Sequence, residues 1–163
     1  MKRLTIFTLC LLLSSCGYHM MGKGSGVVPE DVQLVRIMGA GGNDRFLGKM
    51  QTYLHGVASY DVVSAADEAK TDTEIHIGSL AESMSPISFD ANGITTVERM
   101  TLSGDISLWR NSERIWNGGP VSVYEDVDVS SGPAAIESTK RRIRSDLESQ
   151  WIRQAWLKLS SDF

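Results

Sequence analysis

The sequence predicts an α+β domain in which two amphipathic helices cover one face of a mostly antiparallel sheet. Two observations carry this prediction. Thr73–Met84, Thr95–Trp109 and Arg114–Val129 are three consecutive runs that alternate apolar and polar residues, the period of strands with one wet and one covered face. Phe46–Val57 and Pro133–Leu159 instead repeat apolar residues at intervals of three and four, the period of a helix with one apolar stripe.

The chain begins differently. Lys2 and Arg3 precede a short apolar run, Leu4–Leu13, and the small residues Ser14 and Ser15. The run is too short for a bilayer core, which needs roughly 20 helical residues, and has the layout of a secretory signal. Residues 1–15 are therefore expected to be removed. Leu13-Ser14-Ser15-Cys16 resembles the bacterial lipobox, which implies that Cys16 carries a diacylglycerol on its thiol and an N-acyl chain on its new amino terminus. Several acyl chains hold a protein at a membrane far longer than one. Lipoproteins retained at an inner membrane tend to have Asp after the cysteine; Gly17 stands here, so the expected address is the outer membrane. Residues 16–30 read as the lipidated cysteine and a flexible tether, with Gly17, Gly22, Gly24 and Gly26. Extended, ten such residues reach about 35 Å. Gly22-Lys23-Gly24-Ser25-Gly26 suggests a phosphate loop, but no strand precedes it and the motif is incomplete.

Residues 31–163 read as a single domain. Val32–Met38 is β-branched and short, a first strand. Gly39–Gly42 breaks it, and Asn43 or Asp44 can cap the helix whose apolar face is Phe46, Leu47, Met50, Tyr53, Leu54 and Val57, with Gly56 as its stop. A dinucleotide fingerprint fails here, because Asp44 replaces the glycine that would close helix onto strand. Tyr60–Val63 is a brief strand, and Ala65–Lys70 a turn or loop. In the next run Ile75, Ile77 and Ser79 share a face, and Ser85-Pro86 is expected to end it. Asp90-Ala91-Asn92-Gly93 supplies turn chemistry. In Thr95–Trp109, Met100, Leu102, Gly104, Ile106 and Leu108 point inward, and in Arg114–Val129 so do Val121, Val123, Val127 and Val129. Pro120 calls for a bulge or an edge position. Pro133 opens the last helix, whose stripe is Ile136, Ile143, Leu147 and Trp151. Beyond residue 150, Ile152, Trp156 and Leu159 fall on the far side, which calls for a second partner. These three are candidate contacts to another protein, unless the tether or the Ser160–Phe163 tail covers them.

Chemistry is sparse. The net charge of −4 becomes about −6 once Lys2 and Arg3 leave, which argues against a nucleic-acid partner. Cys10 would leave with the signal and Cys16 is consumed by lipid, so stability is expected to come from packing without a disulfide. His19, His55 and His76 have no ligand-like spacing, so no metal is expected, and no nucleophile elbow or catalytic set is recognisable. An envelope hydrolase has only abundant serines and carboxylates behind it. Glu125, Asp126 and Asp128 look like a calcium cluster, but in a strand Glu125 faces away from the other two. Lys140, Arg141, Arg142 and Arg144 form the one basic run. They read either as a solvated helix or as a contact for the phosphates of lipopolysaccharide.

Cys16-Gly17-Tyr18-His19-Met20-Met21-Gly22 resembles the Cys-Gly-(Tyr/Phe)-His-Leu-Arg-Gly start of the LPS-assembly lipoprotein family, LptE. The resemblance continues through Ser85–Asp90, the Gly93 turn, Thr101–Trp109, Arg114-Ile115-Trp116, Tyr124, Ser130–Ala135 and the closing helix. Met21 replaces the family's Arg, and the Gly39–Asn43 loop is glycine-rich where the family carries a Pro-Phe-x-Asn-like stretch. The resemblance implies a two-layer sandwich of two helices on a four-stranded sheet. It also implies a non-enzymatic lipoprotein without cofactor beyond its lipid, anchored in the outer-membrane bilayer and facing the periplasm or the inside of a barrel. There it would plug the large β-barrel LptD, assist its assembly and help carry lipopolysaccharide to the outer leaflet. An alternative is a lipid-anchored carrier that binds lipopolysaccharide or another anionic glycolipid without a barrel.

Overall fold

The computed structural model describes residues 26–161, apart from 40–42, 59 and 132. The signal, Cys16, the tether up to Ser25 and the centre of the glycine-rich loop lie outside the described residues.

Six strands and two helices follow in the order β1 (Leu34–Gly39), α1 (Asp44–Val57), β2 (Asp61–Ser64), β3 (Thr73–Ile77), β4 (Ala81–Phe89), β5 (Thr95–Arg110), β6 (Glu113–Asp128) and α2 (Pro133–Ser160). All six strands belong to one sheet, so the expected count of four is corrected. β1 lies between β2 and β3 and pairs with both in parallel, while β5 pairs antiparallel with β3, β4 and β6. The class is α+β with a mixed, mostly antiparallel sheet.

β3 and β4 share one long edge of β5. β3 lies against Ile106–Arg110 and β4 against Thr95–Ser103. The run expected to stop at Ser85-Pro86 breaks earlier, after Ile77, and its second part then continues through Pro86 to Phe89. Proline removes a ladder donor, which a strand tolerates only where one edge is unpaired. β4 pairs with β5 alone, so Pro86 has such an edge. Pro120 lies in β6, which also pairs only with β5, with register shifts opposite Ile106–Ser107 and Leu108–Trp109. The β5–β6 turn places Asn111 and Ser112 at φ of 51° and 66°, the left-handed pair that a tight hairpin with right-twisted strands requires.

The core lies between the sheet and the helices. β5 contributes Met100, Leu102, Ile106 and Leu108, and β6 Val121, Val123 and Val127, all buried with the inward parity expected of them. α1 buries Phe46, Met50 and Leu54, and its Asn43 cap accepts from the Phe46 N–H at 3.2 Å. Gly56 does not stop α1, which runs on to Val57 and ends at an extended Ala58. α2 buries Ile143, Leu147, Trp151, Ala155 and Leu159, an i, i+4 row. Such a row inclines across a helix surface, and the row stays buried along the length of the helix. Trp151 is central: its Nε1–H donates to the Val121 carbonyl at 3.0 Å and its ring meets Phe46 edge-on at 5.4 Å. Gly104 lies beneath it, where a Cβ would stand 3.5 Å from the indole and 2.8 Å from Leu80.

Candidate partner-contact surface

The basic run on α2 faces the sheet at its margins. Lys140 lies 3.7 Å from Glu98 of β5, and Arg144 grips Glu82 of β4 with a bond of 2.7 Å from Nη2. Arg142 pairs with Asp146 at 3.1 Å and reaches Glu125 of β6 at 4.0 Å. The Arg144 guanidinium holds the Glu82 carboxyl below its usual range. Among the described residues Arg141 has no ion pair within 4 Å; it is exposed on the same turn. Lys140, Arg142 and Arg144, read as solvated or as contacts for lipopolysaccharide, are thus matched to carboxylates of three different strands. Glu125 faces the helix and Asp126 the open face, as strand parity requires.

The far side of the last helical turns is covered from within the chain. Ile152 and Leu159 are buried, and half-buried Trp156 meets Tyr60 edge-on at 6.4 Å. The end of the expected tether also lies on α2: the Val27 N–H donates to the Leu159 carbonyl at 3.0 Å, and Val27 and Val28 pack on the core. Gly26 approaches so closely that a Cβ would stand 2.8 Å from the Leu159 oxygen. Asp31 then meets the Arg110 guanidinium, which also binds Asp72 at 3.0 Å, and both carboxyls are held below their usual range by that contact. The two-sided apolar end of α2 is thus closed by Tyr60 and the Val27–Val28 segment, which leaves little of Ile152, Trp156 and Leu159 to offer another protein.

Two other surfaces are open. The first is the sheet face opposite the helices, where Arg99 binds Asp126 through two bonds of 2.8 and 3.1 Å and lies 4.2 Å over the exposed Tyr124 ring. The bond from Arg99 keeps the Asp126 carboxyl low. On the same face His76 stacks on Trp109 at 5.0 Å and bonds Glu74 at 2.8 Å. The second is the end of the β4–β5 hairpin, where Ile87, Phe89 and Ile94 are 42, 58 and 63 % exposed. The turn between them is held by Asp90, which accepts from the Asn92 and Ile94 N–H groups at 2.8 Å, with Gly93 at φ 78°. A hydrogen-bonded turn that displays three large apolar side chains is an exposed apolar patch of the kind often found at interaction surfaces. Its signal in the sequence is the apolar Phe89 and Ile94 directly abutting Asp90–Gly93, which strand alternation alone does not mark.

A groove of about 640 Å³ runs between α1 and α2, lined by Gly48, Tyr53, Ser149 and Ile152. At its floor Lys49 bonds Glu148 at 2.5 Å and Ser145 at 3.0 Å. No helix among the described residues is long and apolar enough to cross a membrane, and no metal-holding group of side chains occurs among them.

No protein-family model and no curated protein matches the sequence. Solved structures do match in fold. An uncharacterized lipoprotein B from Nitrosomonas europaea superposes with a TM-score of 0.64 at 10 % identity, covering 76 % of this chain and 79 % of its own. A minor lipoprotein from Acinetobacter baumannii gives 0.64 at 7 % identity, over 78 % and 90 % of the two chains. The rare lipoprotein B from Shewanella oneidensis gives 0.54 at 10 %, over 75 % and 87 %. At such identities the likeness establishes a shared fold.

Proposed function

We propose that the protein is a lipid-anchored outer-membrane lipoprotein that plugs and assists assembly of an LptD-like β-barrel in lipopolysaccharide transport, without catalysis of its own. The observation that carries this reading is a lipobox ending at Cys16 on a chain whose domain has the fold of three bacterial lipoproteins. The ordered resemblance to the LptE family supplies the barrel and the glycolipid. The open face of the sheet suits this role, because a large barrel's lumen is polar and a plug must present charge and hydroxyl groups to it. The hairpin end with Phe89 and Ile94 supplies apolar anchors of the kind that dominate protein interfaces.

Two measurements test the proposal together. Detergent extraction of outer membrane should bring down a large barrel with the chain, and mass spectrometry of its amino terminus should find Cys16 acylated. An acylated chain recovered alone would refute the barrel role, and an unacylated soluble chain would refute the anchor.

A further inference from the structure

Among the described residues the sheet has three free edges, and they are not alike. β2 is four residues long and offers little to pair with. β6 is guarded by different means in its two halves: over Glu113–Pro120 by Pro120, two register shifts and Lys158, which donates to the Gly118 and Pro120 carbonyls at 2.8 and 2.9 Å, and over Val121–Asp128 by the three carboxylates of Glu125, Asp126 and Asp128. Short length, proline, bulges and lysine are the usual devices that keep an edge from recruiting another strand. β4 lacks them over its first half. Its protection, Pro86 and the irregular pairing around Ser88, lies only towards the hairpin end, which leaves Ala81–Ser85 in regular register with β5. The helices scarcely cover it, for Met84 and Ser88 alone among its nine residues are even half-buried. Glu82 is its one charge, and Arg144 already matches it.

We propose that the edge of β4 at Ala81–Ser85 is a docking site for an extended strand of a partner protein, added by main-chain hydrogen bonds. Five paired residues span about 17 Å, enough for a regular ladder. The chemistry selects the strand. With the single carboxylate neutralised, an uncharged segment fits better than a basic one. Its side chains would alternate between an apolar residue beside Met84 on the helix side and small polar ones beside Ser83 and Ser85 on the open face. Main-chain pairing gives affinity and these alternate positions give selectivity. The inference adds a mode of contact to the proposed plug role, though it stands or falls by a separate measurement.

The full-length, anchored chain with a photo-crosslinking residue at position 81, 83 or 85 is irradiated in its native envelope, and the adducts are mapped by mass spectrometry. Strand addition requires that the three positions join one protein at residues spaced two apart, a ladder that a face contact would not produce. In parallel, Ala81→Lys/Ser83→Lys should lower the yield of the position-85 adduct at least about tenfold, while Gln154→Lys on the exposed side of α2 leaves it unchanged. Adducts scattered over several proteins, adducts to lipid or to a second copy of this chain, or an undiminished yield in the lysine variant would each overturn the inference. A barrel that co-purifies without the ladder sinks this inference and spares the plug role. A ladder on some other protein upholds this inference, and recovery of the chain without a barrel then sinks the plug role alone.

Discussion

Replacing Trp151 with phenylalanine separates a hydrogen bond from the packing around it. Trp151 is fully buried, donates to the Val121 carbonyl at 3.0 Å and lies edge-on to Phe46, over a glycine. Phenylalanine keeps a ring over Gly104 and most of the contact with Phe46. It removes the indole donor, so the Val121 carbonyl is left unpaired where water does not reach, at a cost of about 1–3 kcal/mol. Trp151→Ala removes the ring as well and should cost about 3–5 kcal/mol. Urea unfolding followed by far-ultraviolet circular dichroism measures both, since that signal does not depend on the indole. The phenylalanine variant should lower the melting temperature by several degrees, at about 2–4 °C per kcal/mol for a domain of this size. Loss of less than about 0.5 kcal/mol, the ordinary scatter of surface changes, would refute the assignment of Trp151 as the hydrogen-bonded pin between α2 and β6.

The partly buried pair between the helices predicts a compensation. Glu148 and Lys49 are 12 and 27 % exposed at the side chain, so Glu148→Ala should cost about 1–3 kcal/mol by stranding Lys49, less than for a fully buried pair, while Lys49→Met/Glu148→Met should recover most of it in a double-mutant cycle. Acid should destabilise the domain in a defined window. Glu82, Asp31, Asp72 and Asp126 are held low by Arg144, Arg110, Arg110 and Arg99, so their contribution is complete above the ordinary carboxylate value of about 4 and is lost as pH falls through the lower folded values. Unfolding titrations should therefore be flat in this respect near neutrality and fall below about pH 4. Arg144→Glu should weaken the domain more than Arg141→Glu, because only the former loses a strand carboxylate; equal effects in thermal melts would contradict the pairing. Phe89→Ser/Ile94→Ser should leave melting unchanged and reduce recovery of the partner barrel in detergent extracts, and unaltered recovery would remove the hairpin end from the interface.

β5 was legible residue by residue, because a strand with one face against helices and one in water must alternate, and its inward set lies as its spacing predicts. The last helix was legible for the same reason at a different period. Pairing was not. That β1 runs parallel to β2 and β3 depends on the chain crossing over through α1, and that Pro86 can sit inside a strand depends on which side has a neighbour, neither of which one stretch of sequence contains. The basic run shows the limit most clearly. A helical wheel spreads Lys140, Arg142 and Arg144 around the axis and suggests solvent. Their partners Glu82, Glu98 and Glu125 occupy the inward parity of three strands, each two residues along its strand from Met84, Met100 and Val123. A charge at an inward position has to find a counter-charge or the edge of the helix layer, since alone and desolvated it would cost several kcal/mol. Those three glutamates therefore trace the boundary along which α2 stops covering the sheet. Beyond that boundary are the outer part of β4 and its apolar hairpin end, so the margin that closes the core with ion pairs is also what leaves that arm uncovered.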